Sequence, residues 1–518
     1  MKKSRVLLAI VAIFALAIVS CSSSSEGDIS LTILQTSDIH DHAGGYGSAA
    51  SYNPVVTGSD TVLGGYARIA SYVKQVRNEK GATRVLLCDS GDFTMGTVYS
   101  MTIASAPLSF MFFSMMNYDA VTFGNHETDL GPDALAGFIT LAKNNSSVPF
   151  TTPIIASNMD ANASPAMNAL VADGTIAKST MVVKSGIKIG ILGRMGSNAV
   201  FDSPNAVPLV FDGGKPDSAA AYAALQSQVN ALRAAGAKVV VLLSHEGFTV
   251  DPATGYATGN DAELAKNVSG IDVILSGHLH INQTAVRASA NSETILVEPG
   301  SYGTHVARLD LQIDQRSGKI KSYKSSNVLI DSRIPGDLAM VYVLSGLVNP
   351  ALDAALAPAF SGLGLAGVDS IMDTVAINDA PITSESITPG FSAGESVLGN
   401  LAADAYRNAI NGIWAAAYAQ YGAEVANAAM TQATGDPNRV QIAFVPGGVI
   451  RDPLAVSPLP NISFADLYNV LPLGGDPVDT SAMGYPLLTT YIKGADIYTA
   501  VGISLQMGMA IAGGNAQR

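Results

Sequence analysis

Short apolar segments alternate with polar ones between residues 30 and 335, and their length is that of buried strands. Five of these apolar segments end shortly before a carboxylate, an amide or a histidine. We predict that all five are buried strands of an open α/β sheet. They are Leu31–Gln35, Val85–Leu87, Ala120–Phe123, Val239–Leu243 and Val273–Leu275.

The segments between these strands carry helical or hairpin patterns. Apolar side chains recur at helical spacing in Ala67–Val76 and in Ala219–Ala235. Met181–Leu192 predicts two strands joined by a turn at Ser185-Gly186, and Val306–Ile313 alternates as a half-exposed strand. The region therefore combines strands and helices throughout.

Polar motifs follow the five predicted strands. Open α/β sheets bind ligands at the carboxyl ends of their strands, so we expect these motifs to meet at one rim. They mix imidazole with oxygen ligands, as a two-metal site for Zn, Mn or Fe requires. Two neighbouring metals bind the attacking and leaving oxygens of a phosphoryl transfer. The motifs are Asp38-Ile-His40, Gly91-Asp92, Gly124-Asn125-His126-Glu127, Ser244-His245-Glu246 and Gly277-His278-Leu279-His280.

The order of these motifs, D-x-H, G-D, G-N-H-E, H and G-H-x-H, resembles that of the calcineurin-like metallophosphoesterases. The segments QTSDIH at 35–40, GGYAR at 64–68 and GNHETDLG at 124–131 are similar to the bacterial 5′-nucleotidase/UDP-sugar hydrolase branch. The resemblance covers nearly the whole mature chain and weakens in the C-terminal third. It implies an α+β fold, with a four-layer α-β-β-α sandwich followed by a smaller α/β substrate-recognition domain.

The resemblance also implies a role for each motif residue. Asp92 would bridge two divalent metal ions, because a carboxylate has two oxygens to share. His126 would stabilise the transferring phosphoryl group, and Asp129 would orient its imidazole and favour its charged form. The nucleophile would be a water whose pKa the metals lower. The first metal would be bound by Asp38, His40 and His280, and the second by Asn125, His245 and His278.

Other polar residues beside the motifs have less specific interpretations. His42 lies either behind the metal ligands or in a solvated loop. Glu127 is expected to accept backbone hydrogen bonds and not to bind metal. We interpret Ser90, Ser244 and Ser276 as turn residues.

The recognition segments depart from the family that the motifs resemble. Its 5′-nucleotidases stack the base between two aromatic rings and hold it with Arg and Asn. Here Leu473 stands in place of the first ring, Pro446 in place of the Asn, and Gly394 where an Arg is common. Arg451 remains and can bind phosphate. The segment that carries the second ring does not follow, so we expect a truncated or reduced recognition domain.

The first residues predict export. Basic residues at positions 2, 3 and 5 precede the apolar segment Val6–Val19, which is the layout of a signal peptide. Ile18-Val-Ser-Cys21 matches a bacterial lipobox, so Cys21 would carry lipid and begin the mature protein. Secretion with cleavage nearby is the alternative. No later stretch predicts a transmembrane helix, and we expect a membrane-anchored protein of the periplasm or cell surface.

Composition narrows the possible partners. The formal net charge is −13, and the absence of a basic stripe argues against binding long nucleic acids. An acidic surface does not exclude an anionic substrate, since metals dominate the local field. Apart from Cys21, Cys88 is the only cysteine, so no internal disulfide can form, and we interpret Cys88 as a small buried hydrophobe.

The length of the chain and the changes in composition along it predict several domains. Leu338–Leu356 is predicted to be a connecting helix that is interrupted at Asn349-Pro350. The predicted divisions are a signal peptide at 1–20, a tether at 21–29, a catalytic domain at 30–335, a connecting segment at 336–367 and a C-terminal domain at 368–518.

The leading hypothesis for function is an extracytoplasmic dinuclear-metal hydrolase of nucleotides, of the 5′-nucleotidase, 2′,3′-cyclic phosphodiesterase or UDP-sugar hydrolase type. One alternative is a related hydrolase of a non-nucleotide phosphate or sulfur ester. Another is a lipoprotein that binds nucleotides without turnover. The complete ligand set argues against the last, because an inactive copy would be expected to lose metal ligands first.

Overall fold

Two large β-sheets contain most of the strands. The computed structural model describes residues 27–362, 364–365, 367–377, 397–421, 443, 445, 450–451, 454 and 461–472. In chain order, its strands are β1 Asp28–Thr36, β2 Val85–Asp89, β3 Ala120–Val121, β4 Ile154–Ile155, β5 Met159–Asp160, β6 Ile176–Ala177, β7 Thr180–Lys184, β8 Ile187–Met195, β9 Val210–Phe211, β10 Val239–His245, β11 Thr249–Val250, β12 Ala257–Thr258, β13 Val273–Gly277, β14 Asn282–Arg287, β15 Ile295–Pro299, β16 His305–Asp314, β17 Ile320–Leu329, β18 Thr374–Ile377 and β19 Asn461–Ser463.

Each sheet has a parallel centre; the first has antiparallel strands at one edge and the second at both edges. The first sheet has the order β17-β16-β1-β2-β3-β4-β6, and its strands are parallel from β1 to β6. The second has the order β14-β15-β13-β10-β8-β7, with β8, β10, β13 and β15 parallel. The five predicted segments do form strands, but they divide between two sheets, with β1, β2 and β3 in the first and β10 and β13 in the second, and not in one sheet as expected. Strand β3 ends at Val121, two residues earlier than expected.

The two sheets pack face to face. Side chains of a strand alternate between its faces. Leu31 and Ile33 of β1 therefore join the core between the sheets, whereas Leu34 joins the core on the outer side. Cys88 is fully buried in the inner core, as expected of a small hydrophobe. Burying a leucine or isoleucine side chain, such as Leu31 or Ile33, contributes roughly 1.5–3 kcal/mol to the stability of the fold.

Helices cover both outer faces and complete the predicted α-β-β-α layering. Helices α1, α2 and α3 lie against the first sheet, and α6 and α7 lie against the second. The helices are α1 Tyr66–Lys80, α2 Leu108–Met116, α3 Pro132–Lys143, α4 Pro165–Ala172, α5 Ser197–Phe201, α6 Ala219–Ala234, α7 Asn260–Asn267, α8 Leu338–Val343, α9 Asn349–Gly362, α10 Val397–Tyr421 and α11 Phe464–Val470.

The connecting helix differs from its prediction. The helix continues through Asn349-Pro350, and a π-helical turn at Leu344–Val348 joins α8 to α9. The wider turn relieves the clash that a proline ring makes with the preceding helical turn. The predicted interruption is therefore a local change in helix type.

By length and composition alone, Leu338–Gly362 could also cross a membrane, and it is the one such helix among the described residues. Only 28% of its most apolar window is buried. Core helices of soluble proteins pass the same test. That no later stretch forms a transmembrane helix therefore stays a prediction.

The described C-terminal residues contact the sandwich through α11. The Asp466 carboxylate accepts the backbone N–H of Ala49 at 2.6 Å, and the Asn469 side-chain oxygen accepts that of Val98 at 2.9 Å. The carbonyl of Val470 accepts the backbone N–H of Arg451 at 2.9 Å. These contacts hold Arg451 against the sandwich.

Candidate metal centre

The predicted ligands meet at one rim because parallel strands of both sheets end there. Asp38 and His40 follow β1, Asp92 follows β2 and Asn125 follows β3. In the second sheet, His245 is the last residue of β10, and His278 and His280 follow β13. Loops that are far apart in sequence therefore bring all seven side chains together.

Asp38, His40 and His280 form the first group of potential ligands. His40 Nδ1 lies 2.9 Å from the carbonyl oxygen of Met95, so Nδ1 must donate and Nε2 keeps its lone pair. That lone pair faces His280 Nε2 at 3.1 Å, and His280 Nε2 lies 3.5 Å from Asp38 Oδ1. These ligand atoms lie within 4.8 Å of one another.

Asp92, Asn125, His245 and His278 form the second group. His245 Nδ1 donates to the carbonyl of Ser90 at 2.7 Å, which leaves Nε2 to bind either a metal or a second proton. Nε2 lies 3.1 Å from Asp92 Oδ2 and 3.3 Å from Asn125 Oδ1. Asn125 Oδ1 is also 3.0 Å from His278 Nδ1. Potential metal-binding atoms of four side chains thus lie within hydrogen-bond distance of one another.

Asp92 lies between the two groups. Its Oδ2 is 3.1 Å from His245 Nε2 and 3.8 Å from His40 Nε2. Lone pairs that face one another repel unless a cation lies between them. The donor set of imidazole, carboxylate and amide oxygen therefore fits divalent transition metals at both groups.

The local pKa shifts indicate the same need for positive charge. Burial alone would raise the pKa of Asp92, but His245 and His126 hold it well below its ordinary value. Burial would lower the pKa of His245, whereas the charges of Asp92 and Asp38 raise it to about 10. Burial and the charge of Arg451 lower the pKa of His40. Asp92 is therefore ionised, and it attracts a proton or a metal cation.

Backbone conformation limits which residues can build this rim. A Cβ at Gly124 would lie 2.6 Å from His245 Nε2, so a larger residue would displace that imidazole. Ligand residues also occupy the left-handed region, which disfavours residues with a Cβ. Five of the seven have φ between +50° and +85°, namely Asp38, His40, Asp92, His278 and His280.

Glu127 fixes the loop that carries Asp92 and faces no metal group. Its carboxylate accepts the backbone N–H groups of Asp92, Phe93 and Thr94 at 3.0 Å, and that of Gly124 at 2.6 Å. The Thr94 hydroxyl also donates to it at 3.0 Å. The expectation that Glu127 bonds to backbone is confirmed.

The secondary interpretations of other neighbours need correction. His42 is fully buried, so it is not a solvated loop residue. Ser244 and Ser276 lie within β10 and β13 and are not turn residues. Their hydroxyls both donate to the buried Asp261 carboxylate, at 2.6 and 2.5 Å. Asp261 thereby ties together the two strands that present His245 and His278.

His126 and Arg451 contact each other beside the metal groups. His126 Nδ1 lies 2.6 Å from Asp129 Oδ2, and its Nε2 accepts a hydrogen bond from Arg451 Nη2. Burial lowers the pKa of His126, but the Asp129 and Asp92 carboxylates raise it overall, against the effect of Arg451. Arg451 Nε is buried and has no hydrogen-bond partner among the described residues.

Residues 31–282 match the calcineurin-like phosphoesterase family. This part of the chain is a calcineurin-like phosphoesterase domain. The whole chain is 26% identical to mouse 5′-nucleotidase over an alignment of 323 residues that covers 59% of this chain and 50% of the relative. It is also 26% identical over 317 residues to the trifunctional nucleotide phosphoesterase YfkN of Bacillus subtilis, covering 57% of this chain and 19% of the relative.

A solved structure extends the likeness beyond the phosphoesterase domain. The 5′-nucleotidase precursor of Thermus thermophilus superposes with a TM-score of 0.58 at 24% identity, covering 86% of this chain and 74% of that one. At this identity the likeness shows the fold. The chain spans about half the length of the mouse enzyme.

Two neighbours of the phosphoesterase rim were not predicted. Tyr302 packs against the imidazoles of His40 and His280, with ring centroids 5.8 and 5.3 Å apart. It follows the apolar strand β15, so the strand-end pattern could have identified it. Asp202 Oδ2 lies 3.5 Å from His278 Nε2. Asp202 follows helix α5, and no sequence signal marks it.

Some predicted residues lie outside the described part of the chain. These are the lipidation site Cys21, the substrate-binding candidate Leu473, and the replaced positions Pro446 and Gly394. Their roles stay predictions from sequence.

Proposed function

We propose that this chain is a dinuclear metal-dependent hydrolase of phosphate esters, with nucleotides as its substrate class. The observation that carries the proposal is the position of Asp92 between two groups of converging electron-pair donors. Asp38, His40 and His280 would hold one divalent ion, and Asn125, His245 and His278 the other, with Asp92 shared. Zn, Mn and Fe all suit such donors.

The bound ions would supply charge that activates a water and neutralises phosphoryl oxygens. The chain's own residues would then bind the phosphoryl group and assist the leaving oxygen. Asp129 keeps a proton on His126 Nδ1, so His126 Nε2 can donate its proton to that oxygen.

His126 and Arg451 would bind the anionic group together. The bond from Arg451 to His126 Nε2 requires a neutral ring, whereas Asp129 favours the protonated one. Both groups can be cationic when an anion lies between them. A phosphoryl group carries that charge and accepts charge-assisted hydrogen bonds from both.

Two further observations favour nucleotides over other phosphate esters as the substrates. The mouse relative is named 5′-nucleotidase and the Bacillus subtilis relative a nucleotide phosphoesterase. In addition, Arg451, which the sequence retains from the family's recognition segments, reaches the rim. Hydrolysis of a sulfur ester has no comparable observation in its favour.

Metal content and turnover test the proposal. Purified protein loaded with Mn or Zn should contain two metals per chain and hydrolyse AMP. Asp92→Ala should lose most metal, because it removes the ligand shared by both groups. His126→Ala should keep its metal and lose roughly 100-fold or more in kcat. His305→Ala is the matched control, since His305 bonds to Asn282 and Thr304 and not to the rim. At most one metal after loading would refute the two-metal site.

We further propose that Cys21 carries lipid and holds the protein outside the cytoplasm. The support is the sequence Ile18-Val-Ser-Cys21 after a signal-peptide pattern. Several acyl chains on one cysteine anchor a protein stably, whereas a single chain does not. Cys21→Ser should release the protein from membranes or block its processing. Wild-type protein that is recovered free of membranes would contradict the lipobox interpretation.

A further inference from the structure

We infer that Phe201 is a specificity-determining residue that stacks on a flat aromatic leaving group, such as a nucleobase, and that Val207 assists it. The two residues lie on residues 197–207, which we call the rim segment. The inference rests on the proposed phosphoester hydrolase function. It adds a recognition surface supplied by the catalytic domain.

The rim segment is anchored where it leaves β8. The backbone N–H of Ser197 donates to Asp217 Oδ2 at 2.8 Å, and that of Asn198 donates to Glu246 Oε2 at 2.9 Å. The Ser203 hydroxyl donates to the carbonyl of Ala199 at 2.7 Å. These bonds give the segment a defined conformation beside the metal groups.

The middle of the rim segment contacts both halves of the candidate site. Asp202 Oδ2 lies 3.5 Å from Nε2 of His278, a candidate metal ligand. Asn205 Nδ2 donates to the carbonyl of Asp129 at 2.7 Å. Because Asp129 is the partner of His126, the segment borders the side on which the leaving oxygen would receive its proton.

Large apolar side chains on this segment are unusually exposed. Phe201 is 85% exposed and Val207 is 76% exposed, the two highest values for large hydrophobic residues in the described part of the chain. A single exposed apolar side chain needs no explanation. Here the two most exposed ones flank the two residues that contact the site, on a segment whose Ala199 and Ala206 are buried.

The position of the segment indicates which part of the substrate it would contact. The phosphoryl group would lie at the metals and Arg451, so the leaving group must extend past His126. A phenyl ring offers a π face and no hydrogen bond. It would favour flat aromatic leaving groups over alkyl ones and discriminate little among the bases.

The test compares aromatic and alkyl substrates in the Mn-loaded full-length chain. Phe201→Ala should lower kcat/KM about tenfold for AMP and p-nitrophenyl phosphate, the scale of one lost base–aromatic stack. The value for glycerol 3-phosphate should change less than about twofold, since this ester has nothing to stack. Phe201→Trp should retain the wild-type values. Val183→Ala is the control, because Val183 is 65% exposed on β7 near the start of β1, at the opposite end of the sheets.

Adenosine binding by calorimetry gives the same test without turnover. Phe201→Ala should weaken adenosine binding about tenfold and leave inorganic phosphate binding unchanged. Equal losses on all three substrates, or unchanged adenosine binding, would overturn the inference. If the wild type hydrolyses none of the three esters, the proposed function fails, and adenosine binding still decides the role of Phe201.

Discussion

The carboxylate of Glu127 accepts the backbone N–H of Asp92 at 3.0 Å and thereby fixes the loop of the residue that both metal groups share. Backbone N–H groups on either side of this contact also donate to Glu127. The orientation of the central ligand therefore depends on a buried carboxylate that lies behind it.

Glu127→Gln should weaken metal binding. The new amide NH2 would face backbone N–H groups and could not accept their hydrogen bonds, so the loop of Asp92 would shift. Loss of a partner behind the ligands typically reduces metal affinity about 10- to 100-fold. Activity measured against Mn concentration gives the affinity. Glu263→Gln, on the exposed surface of α7, is the control and should match wild type. Unchanged Mn dependence in Glu127→Gln would contradict this role.

Asp129→Asn should move the alkaline limit of activity to lower pH. The Asp129 carboxylate raises the pKa of His126, so the protonated ring persists to higher pH than it would alone. If that proton goes to the leaving oxygen, activity falls as the pH rises through the pKa of His126. Removing the carboxylate lowers this pKa, so activity should fall at a lower pH than in the wild type. The profile of kcat against pH at saturating Mn measures the shift. An unchanged alkaline limb would mean that another group donates the proton.

Arg451→Ala should lower kcat/KM for every phosphate ester by a similar factor. A hydrogen bond to a charged group contributes about 1.5–3 kcal/mol, which corresponds to roughly 10- to 100-fold. Arg451→Lys should recover part of the loss, because it keeps the charge without the planar fork. Arg333→Ala, which removes a mostly exposed arginine paired with Asp331, should have no effect. A loss confined to nucleotides would place Arg451 on the leaving group.

Leu473→Phe should increase the preference for AMP over p-nitrophenyl phosphate. Leu473 stands where the family has a stacking ring, and leucine has no π face. A base–aromatic stack contributes roughly 1–3 kcal/mol, so we expect weak base selectivity in the wild type and partial recovery in the variant. The measurement is kcat/KM for AMP, UMP and p-nitrophenyl phosphate with the same metal. A strong adenosine preference in the wild type would mean that the C-terminal segments are aligned incorrectly.

The strands and the residues that follow them could be predicted because both signals are local. Val239–Leu243 is uninterrupted and apolar, and His245 ends the strand it predicts. The positions of Asp38, Asp92 and His278 at one rim follow from parallel strand direction alone. Their left-handed backbone could not be predicted, since only a few per cent of non-glycine residues adopt it, although Asp and His do so more often than most.

Contacts between segments that are distant in sequence could not be predicted from local sequence patterns. Arg451 reaches His126 only because Asp466 and Asn469 hold α11 against the sandwich. Asp202 contacts His278 only because of the path that the chain takes after β8. Both depend on how whole elements pack, which neither periodicity nor spacing expresses.

If Cys21 carries the proposed lipid, the direction of strand β1 decides which end of the catalytic domain faces the membrane. It begins at Asp28 and delivers Asp38 and His40 from its opposite end, and its nine residues extend about 30 Å. Cys21 precedes Asp28 by so few residues that the intervening chain can span at most about 25 Å. A lipid on Cys21 would therefore hold the start of β1 near the bilayer. The rim with the two metal groups, at the other end of β1, would then face the surrounding solvent. Such an orientation suits diffusing, water-soluble esters and keeps phospholipid headgroups out of reach.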